Sequence, residues 1–139
     1  MAREFRTEIR VYFGDTDGMG VASHTNYIRW FEVARTELLR ELGFTYLELE
    51  KVPLWTPLSQ VHCEYKLPAY FDDVVEVVSH IAELGHASAK VGYEIRRMPG
   101  GELLATGYTC HVFTDDKLKP VSLKKTFLPL YEALRGIVE

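Results

Sequence analysis

Between His24 and Leu42 the apolar residues Tyr27, Trp30, Phe31, Ala34, Leu38 and Leu42 recur every three to four positions. That period belongs to one face of an α-helix. Arg29, Glu32, Glu37 and Arg40 fall elsewhere on the same wheel, and Gly43 is a natural stop. A helix of this kind must bury its apolar face. Most of the remaining apolar stretches alternate at two or run as β-branched blocks, so the surface large enough to receive the helix is a sheet. The reading is α+β: an antiparallel β-sheet wrapped around one long central helix, with a C-terminal helix.

The other elements follow from local pattern. Residues 5–13 alternate, with Phe5, Thr7, Ile9, Val11 and Phe13 on one side and Arg6, Glu8, Arg10 and Tyr12 on the other. They read as a first strand with one wet face. Residues 44–52 hold a short helical turn. An extended stretch runs from Pro53 to Leu67, with Pro57 at a strand edge or bulge. Pro68 to Asp73 is a turn. Strands are expected over 74–84, 87–96 and 102–114, joined by hairpins at Gly85-His86 and at Met98-Pro99-Gly100-Gly101. Ser122 to Gly136 reads as a terminal helix with Pro129 as a kink. The 139 residues are expected to form one domain.

Composition excludes several classes. A net charge of -4 argues against nucleic acid as a main partner, because phosphate binding needs a basic surface. No apolar run approaches the roughly 18 residues of a membrane span, and the charged, alternating N-terminus lacks the core of a signal peptide. Two cysteines, Cys63 and Cys110, make no disulfide framework, and a reduced, cytoplasmic setting fits them. The dipeptides His62-Cys63 and Cys110-His111 invite a metal reading. Adjacent strand residues point to opposite faces, however, so each pair offers one ligand per face. No metal is expected, and both thiols are read as buried small hydrophobes.

The chemistry is concentrated just before the long helix, in GDTDGMGVASH from Gly14 to His24. A helix N-terminus carries unpaired N–H groups and a partial positive charge that stabilise an anion. Glycines let the backbone come close to a ligand. N–H donors beside a carboxylate are the parts needed for attack on a carbonyl: an oxyanion site, and a nucleophile or a base for water. Asp17 and His24 are the candidate catalytic residues, with His24 as a proton carrier near neutral pH. Asp15, Gly18 and Gly20 shape the loop. The same residues also suit a plain turn, in which Asp17 forms an Asx-turn and Asp15 pairs with Arg10. Ser23, Thr25 and Asn26 are all eligible helix caps.

The stretch VYFGDTDGMGVASHTNYIRWFEVARTELLRELG resembles the signature of the hotdog-fold acyl-CoA thioesterases, the branch containing 4-hydroxybenzoyl-CoA thioesterase and the YbgC-like enzymes. Asp15, Asp17, Gly18, Gly20, Val21, Asn26, Tyr27 and Phe31 carry the pattern. The resemblance continues through CEYKLPAYFDDVVEVVSHIAELGHASAKVGYEIRR and GGELLATGYTCHVFTDDKLKPV, nearly the whole chain. It implies a hotdog fold and hydrolysis of a small aromatic or short-to-medium aliphatic acyl-CoA to free acid and CoA. It implies Asp17 as nucleophile or general base, and the N–H at about His24 as the group that polarises the carbonyl. His24 itself matches the YbgC-like branch, whereas Met19 and Ala22-Ser23 depart from the common pattern. The resemblance further implies sites shared between protomers of a dimer or of a tetramer built as a dimer of dimers. It makes Tyr27, Trp30, Trp55 and Leu58 candidates for the acyl pocket. Lys66 and Lys90, with Arg96 or Arg97, become candidates for the CoA phosphates. CoA is then part of the substrate and no cofactor is expected; an acyl-carrier protein is an alternative carrier.

Two other readings differ in class. Hotdog dehydratases and hydratases also act on acyl thioesters, but pair a histidine with an acid in another motif. A non-catalytic acyl-CoA binding module would gain little from a carboxylate at Asp17, because a thioester is neutral.

Overall fold

A computed structural model describes residues 2–139. Five strands form one antiparallel sheet: β1 (Phe5–Arg10), β2 (Leu58–Tyr65), β3 (Val74–Leu84), β4 (Ser88–Met98) and β5 (Glu102–Val112). Their spatial order is β1-β3-β4-β5-β2. The long helix α1 (His24–Glu41) and the short α2 (Tyr46–Lys51) lie between β1 and β2 in sequence, and α3 (Leu123–Thr126) and α4 (Leu128–Arg135) close the chain. The α+β architecture, with one long helix against an antiparallel sheet, is the one the periodicity predicts.

The core lies between α1 and the sheet. Tyr27, Trp30, Phe31, Ala34 and Leu38 form the buried face of α1. Phe31 stacks on Tyr93 of β4, with ring centroids 4.2 Å apart. Gly107 of β5 makes room for it, because a Cβ there would come within 2.7 Å of the Phe31 ring and against the His62 carbonyl oxygen. Burying a ring of this size stabilises the fold by roughly 1.5–3 kcal/mol. Gly43, with φ +97°, ends the helix region as expected.

Both hairpins stand where the turn residues put them: the Gly85 N–H bonds the Ser88 carbonyl at 2.7 Å, and Gly101 takes φ +79°. Three details differ from the sequence reading. The first strand ends at Arg10, the chain turns through a single 3₁₀ turn at Phe13–Asp15, and Phe13 stands exposed against Phe71. The terminal helix is broken into α3 and α4 at Phe127, rather than kinked. Pro129 has no N–H to continue the ladder, so the chain restarts a helix with Pro129 in its first turn. Cys63 and Cys110 are half-buried, not buried.

The strand β2 sits at the far edge of the sheet, paired only with β5. Nearly every residue along it is exposed, including Leu58, Val61 and Tyr65 at 43–45%. Pro57 precedes this strand, and a register shift falls between Leu58 and Gln60. Among the described residues no helix is long and apolar enough to cross a membrane.

Candidate active site

The loop before α1 is closed by backbone bonds. The Asp17 N–H bonds the Val21 carbonyl, the Ala22 N–H the Ala69 carbonyl, and the Phe71 N–H the Gly20 carbonyl, at 2.8–2.9 Å. Gly18 and Gly20 take φ of +91° and +83°, which side-chain-bearing residues rarely adopt. Asp15 holds this loop to the helix. One carboxylate oxygen accepts the Tyr12 N–H at 2.9 Å and the other accepts Arg29 Nη2 at 2.7 Å. Its carbonyl accepts the Ser23 N–H and the Asn26 side-chain amide. The ion pair is therefore with Arg29, one helical turn into α1. Arg10 instead reaches Asp72 across the 68–73 turn, because β1 carries it away from the loop.

Asp17 is exposed, and its Oδ1 accepts the Met19 N–H at 2.9 Å. It forms the Asx-turn that its sequence position allows, and still presents its carboxylate to solvent. Ser23 is the N-cap of α1, but its side chain makes no capping bond, and the first turn holds no acidic residue. The N-terminal dipole of an 18-residue helix is thus left without a side-chain anion of its own.

A cavity of about 230 Å³ opens beside this helix head, lined by Val21, Ala22, His24, Tyr27, Tyr65, Lys66, Leu67 and Pro68. Of the residues singled out in the sequence, it gathers His24, Tyr27 and Lys66. Tyr65 is the wall residue that sequence reasoning missed. Its hydroxyl donates to the His24 carbonyl at 3.1 Å, and its ring packs edge-on against both the His24 ring (4.9 Å) and the Tyr27 ring (5.0 Å). Burial, then the neighbouring Cys63 thiol, push the Tyr65 phenol up to about 12, so it remains a donor. The only signal available was its position on an alternating strand. Tyr27 is itself anchored, its hydroxyl accepting the Ala69 N–H at 3.0 Å.

The other candidates lie elsewhere. Trp30 is 0% exposed and belongs to the core; an amphipathic wheel cannot tell its innermost position from one that lines a pocket. Trp55 lines a separate surface cleft with Tyr46 and Pro57, and Leu58 stands on exposed β2. Lys90 lies over the Tyr108 ring and 3.9 Å from Glu83. Arg96 is engaged by Glu94 and the Gly101 carbonyl. Arg97 is held by Asp73, Glu102 and the Pro68 carbonyl, so it pins the turn on which the loop rests. Both arginines are occupied within the chain. Burial raises the Cys63 thiol, which keeps it protonated and a poor ligand or nucleophile.

A sheet curved around one long helix, with a carboxylate-bearing loop at that helix's head, is the hotdog architecture. The profile of the thioesterase-like superfamily matches residues 11–129, and the chain belongs to that family of thioester hydrolases. The acyl-CoA thioesterase YbgC of Haemophilus influenzae is 33% identical over 134 residues, covering 94% of this chain and 96% of the relative. A DHNA-CoA thioesterase structure from Staphylococcus aureus superposes with a TM-score of 0.91 at 32% identity, covering 96% of this chain and 90% of the other. The 4-hydroxybenzoyl-CoA thioesterase of Pseudomonas sp. is 27% identical over 107 residues, 74% of this chain and 76% of that one.

Proposed function

We propose that this protein hydrolyses acyl-CoA thioesters at the head of α1, with Asp17 as the catalytic carboxylate. The observation that carries this reading is a long helix with no side-chain cap and no acid in its first turn, beside a loop that presents Asp17. The first-turn N–H at His24 polarises the thioester carbonyl as negative charge develops on its oxygen. One such donor is worth about 2.7–4 kcal/mol in the transition state. Asp17 either attacks the carbonyl carbon or takes a proton from attacking water. In the first route a mixed anhydride forms, the C–S bond breaks with its electron pair leaving on sulfur, and water then releases the acid. A free thiol ionises near pH 8.5, so the thiolate leaves with little acid assistance. His24 carries the proton to or from water. No cofactor takes part in this scheme.

Tyr27 and Tyr65, stacked edge-on beside His24, favour an aromatic acyl group, and two of the relatives are named for aromatic acyl-CoAs. Lys66 on the cavity wall is the first candidate for CoA phosphates, and Lys90 the second. An exposed apolar edge at β2 supports pairing with a second copy, which would carry Trp55 and Leu58 toward the partner's helix head. A dimer, or a tetramer of two such dimers, in a cytoplasmic setting is the assembly proposed. CoA is preferred to an acyl-carrier protein as the carrier.

The test is thiol release from a panel of aromatic, short and long acyl-CoAs. Wild type is expected to turn over aromatic thioesters, and Asp17→Asn to lose about 10²-fold or more in kcat at an unchanged Tm. Full activity in a folded Asp17→Asn protein sinks the assignment. An unchanged kcat and pH profile in His24→Ala reduces His24 to its backbone N–H.

A further inference from the structure

About three turns along α1 from His24, a second cavity of about 50 Å³ lies between that helix, the sheet and α4. It shares no lining residue with the cavity at the helix head. Its wall is apolar, built from residues such as Leu38, Leu49, Ile81, Val91, Phe113 and Leu130, with one cationic side chain, Arg35.

Arg35 keeps its charge at any working pH. None of the ion pairs among the described residues includes it. The side chain is half-buried: its Nε is buried without a hydrogen-bond partner, its Nη1 bond to the Tyr93 hydroxyl is long, at 3.5 Å, and its other polar neighbour is the Tyr46 hydroxyl on the same cavity wall. A charge partly withdrawn from water without counter-charge is favourably placed to take an anion.

The polar chain behind Arg35 cannot supply that counter-charge. His111 Nδ1 faces the Thr56 carbonyl at 3.1 Å, which assigns the ring proton to Nδ1. His111 Nε2 then accepts the Thr109 hydroxyl at 2.8 Å. Thr109 accepts the Tyr93 hydroxyl at 2.7 Å, and Tyr93 accepts from Arg35. Each hydroxyl and the ring N–H donates once, the chain ends on a backbone carbonyl, and every member except Arg35 is neutral. Arg35 lines the cavity, and the network behind it supplies no negative charge to meet the guanidinium.

We propose that this cavity binds a short-chain carboxylate, its oxygens on Arg35 and its hydrocarbon tail among the apolar side chains. Arg presents a planar fork that matches a carboxylate. The volume limits the tail to about two carbons, since a cavity of about 150 Å³ is what holds the six carbons of benzene. A halide satisfies the charge but gains nothing from the apolar wall. The proposal does not rest on hydrolysis at the helix head, although acids of this class are what thioester hydrolysis releases.

The experiment is calorimetric titration of the full chain with sodium propionate at constant ionic strength, with sodium chloride and neutral propionamide as controls. Saturable binding of propionate at one site per chain is expected, unchanged in Asp17→Asn and at least tenfold weaker in Arg35→Gln. Propionamide should not bind, and chloride should compete only weakly. Ala89→Leu fills the cavity while keeping the guanidinium, and should weaken propionate by a similar factor, which covers the case that Arg35→Gln fails to fold. The proposal is overturned by no saturable binding, by binding undiminished in both variants, or by chloride binding as tightly as propionate. Binding lost in Asp17→Asn but kept in Arg35→Gln would assign the acid to the helix head, which also overturns it.

Discussion

At the head of α1, Asp17 and His24 stand in solvent while main-chain bonds hold the loop beneath them. Further along it, toward its tail, Tyr93, Thr109 and His111 are buried and half-buried Arg35 joins them, and the four are linked through their side chains. Both ends are polar, but they tolerate change differently. A group that reacts must reach its substrate, so the head keeps its chemistry exposed and spends backbone bonds, Asp15 and two glycines on positioning. A buried group must have its partners satisfied, so each residue at the tail depends on the next. Substitutions at the head should alter rate with little change in stability. Substitutions at the tail should alter stability first.

The largest separation between the two ends is expected from acid. Burial holds His111 down at about 4, against an ordinary value near 6.5, with the Thr56 carbonyl opposing the shift and Arg35 adding to it. The neutral ring is therefore favoured in the folded state. Between pH 6.5 and 4 the unfolded chain takes up a proton that the folded chain refuses. The stability from this site is complete above pH 6.5 and declines as pH falls toward 4, by about 3 kcal/mol in all. Chemical denaturation of wild type and His111→Gln at pH 7 and pH 4.5 reads it. The variant should show the shallower decline, and equal declines would remove His111 from the account.

A smaller effect is expected from Asp15→Asn, which weakens the bonds to Arg29 and to the Tyr12 N–H. The pair is partly exposed on the Arg29 side, so a stability loss of about 1 kcal/mol is expected. The fall in kcat should be larger in proportion, because the loop carrying Asp17 loses its anchor. A stability loss with unchanged kcat would mean that the loop keeps its shape without Asp15.

The smallest effect belongs to Tyr65→Phe. It removes the single hydrogen bond to the His24 carbonyl and keeps the ring stack. A change of about 0.5–1.5 kcal/mol is expected, read as a modest fall in kcat at constant KM if the bond steadies the helix head. A Tyr65→Leu variant, which also removes the stack, should then raise KM for aromatic acyl-CoAs. Identical kinetics in all three proteins would make Tyr65 a passive part of β2.

Much of this arrangement was legible before any coordinates. The period of α1, the stop at Gly43, both hairpins and the glycines of the Asp15–Asp17 loop depend on residues close in sequence, where turn chemistry and side-chain period act directly. The Asx-turn at Asp17 was likewise a local matter. Two residues that now organise the molecule were not legible in that way. Tyr65 was one residue on an extended stretch, and nothing in the period of the helix set Arg35 apart from its other charges. Each acquires its role from a partner far along the chain, His24 for Tyr65 and Tyr93 for Arg35.

The sequence by itself determined most of the helix, strand and turn segments, though not the early end of β1 or the break between α3 and α4, and that a carboxylate-bearing, glycine-rich loop feeds the head of the one long helix. Tertiary structure decided the rest. It sent β2 past the hairpin strands to the far edge beside β5, since strand order is set by which faces can be buried together and not by proximity in the chain. It buried Trp30, turned Arg97 into a clamp on the 68–73 turn, and drew His111 into the core as a neutral ring. Burial and pairing over long sequence separations decide these outcomes, because the same residue is a solvated charge or a satisfied buried partner according to what folds against it.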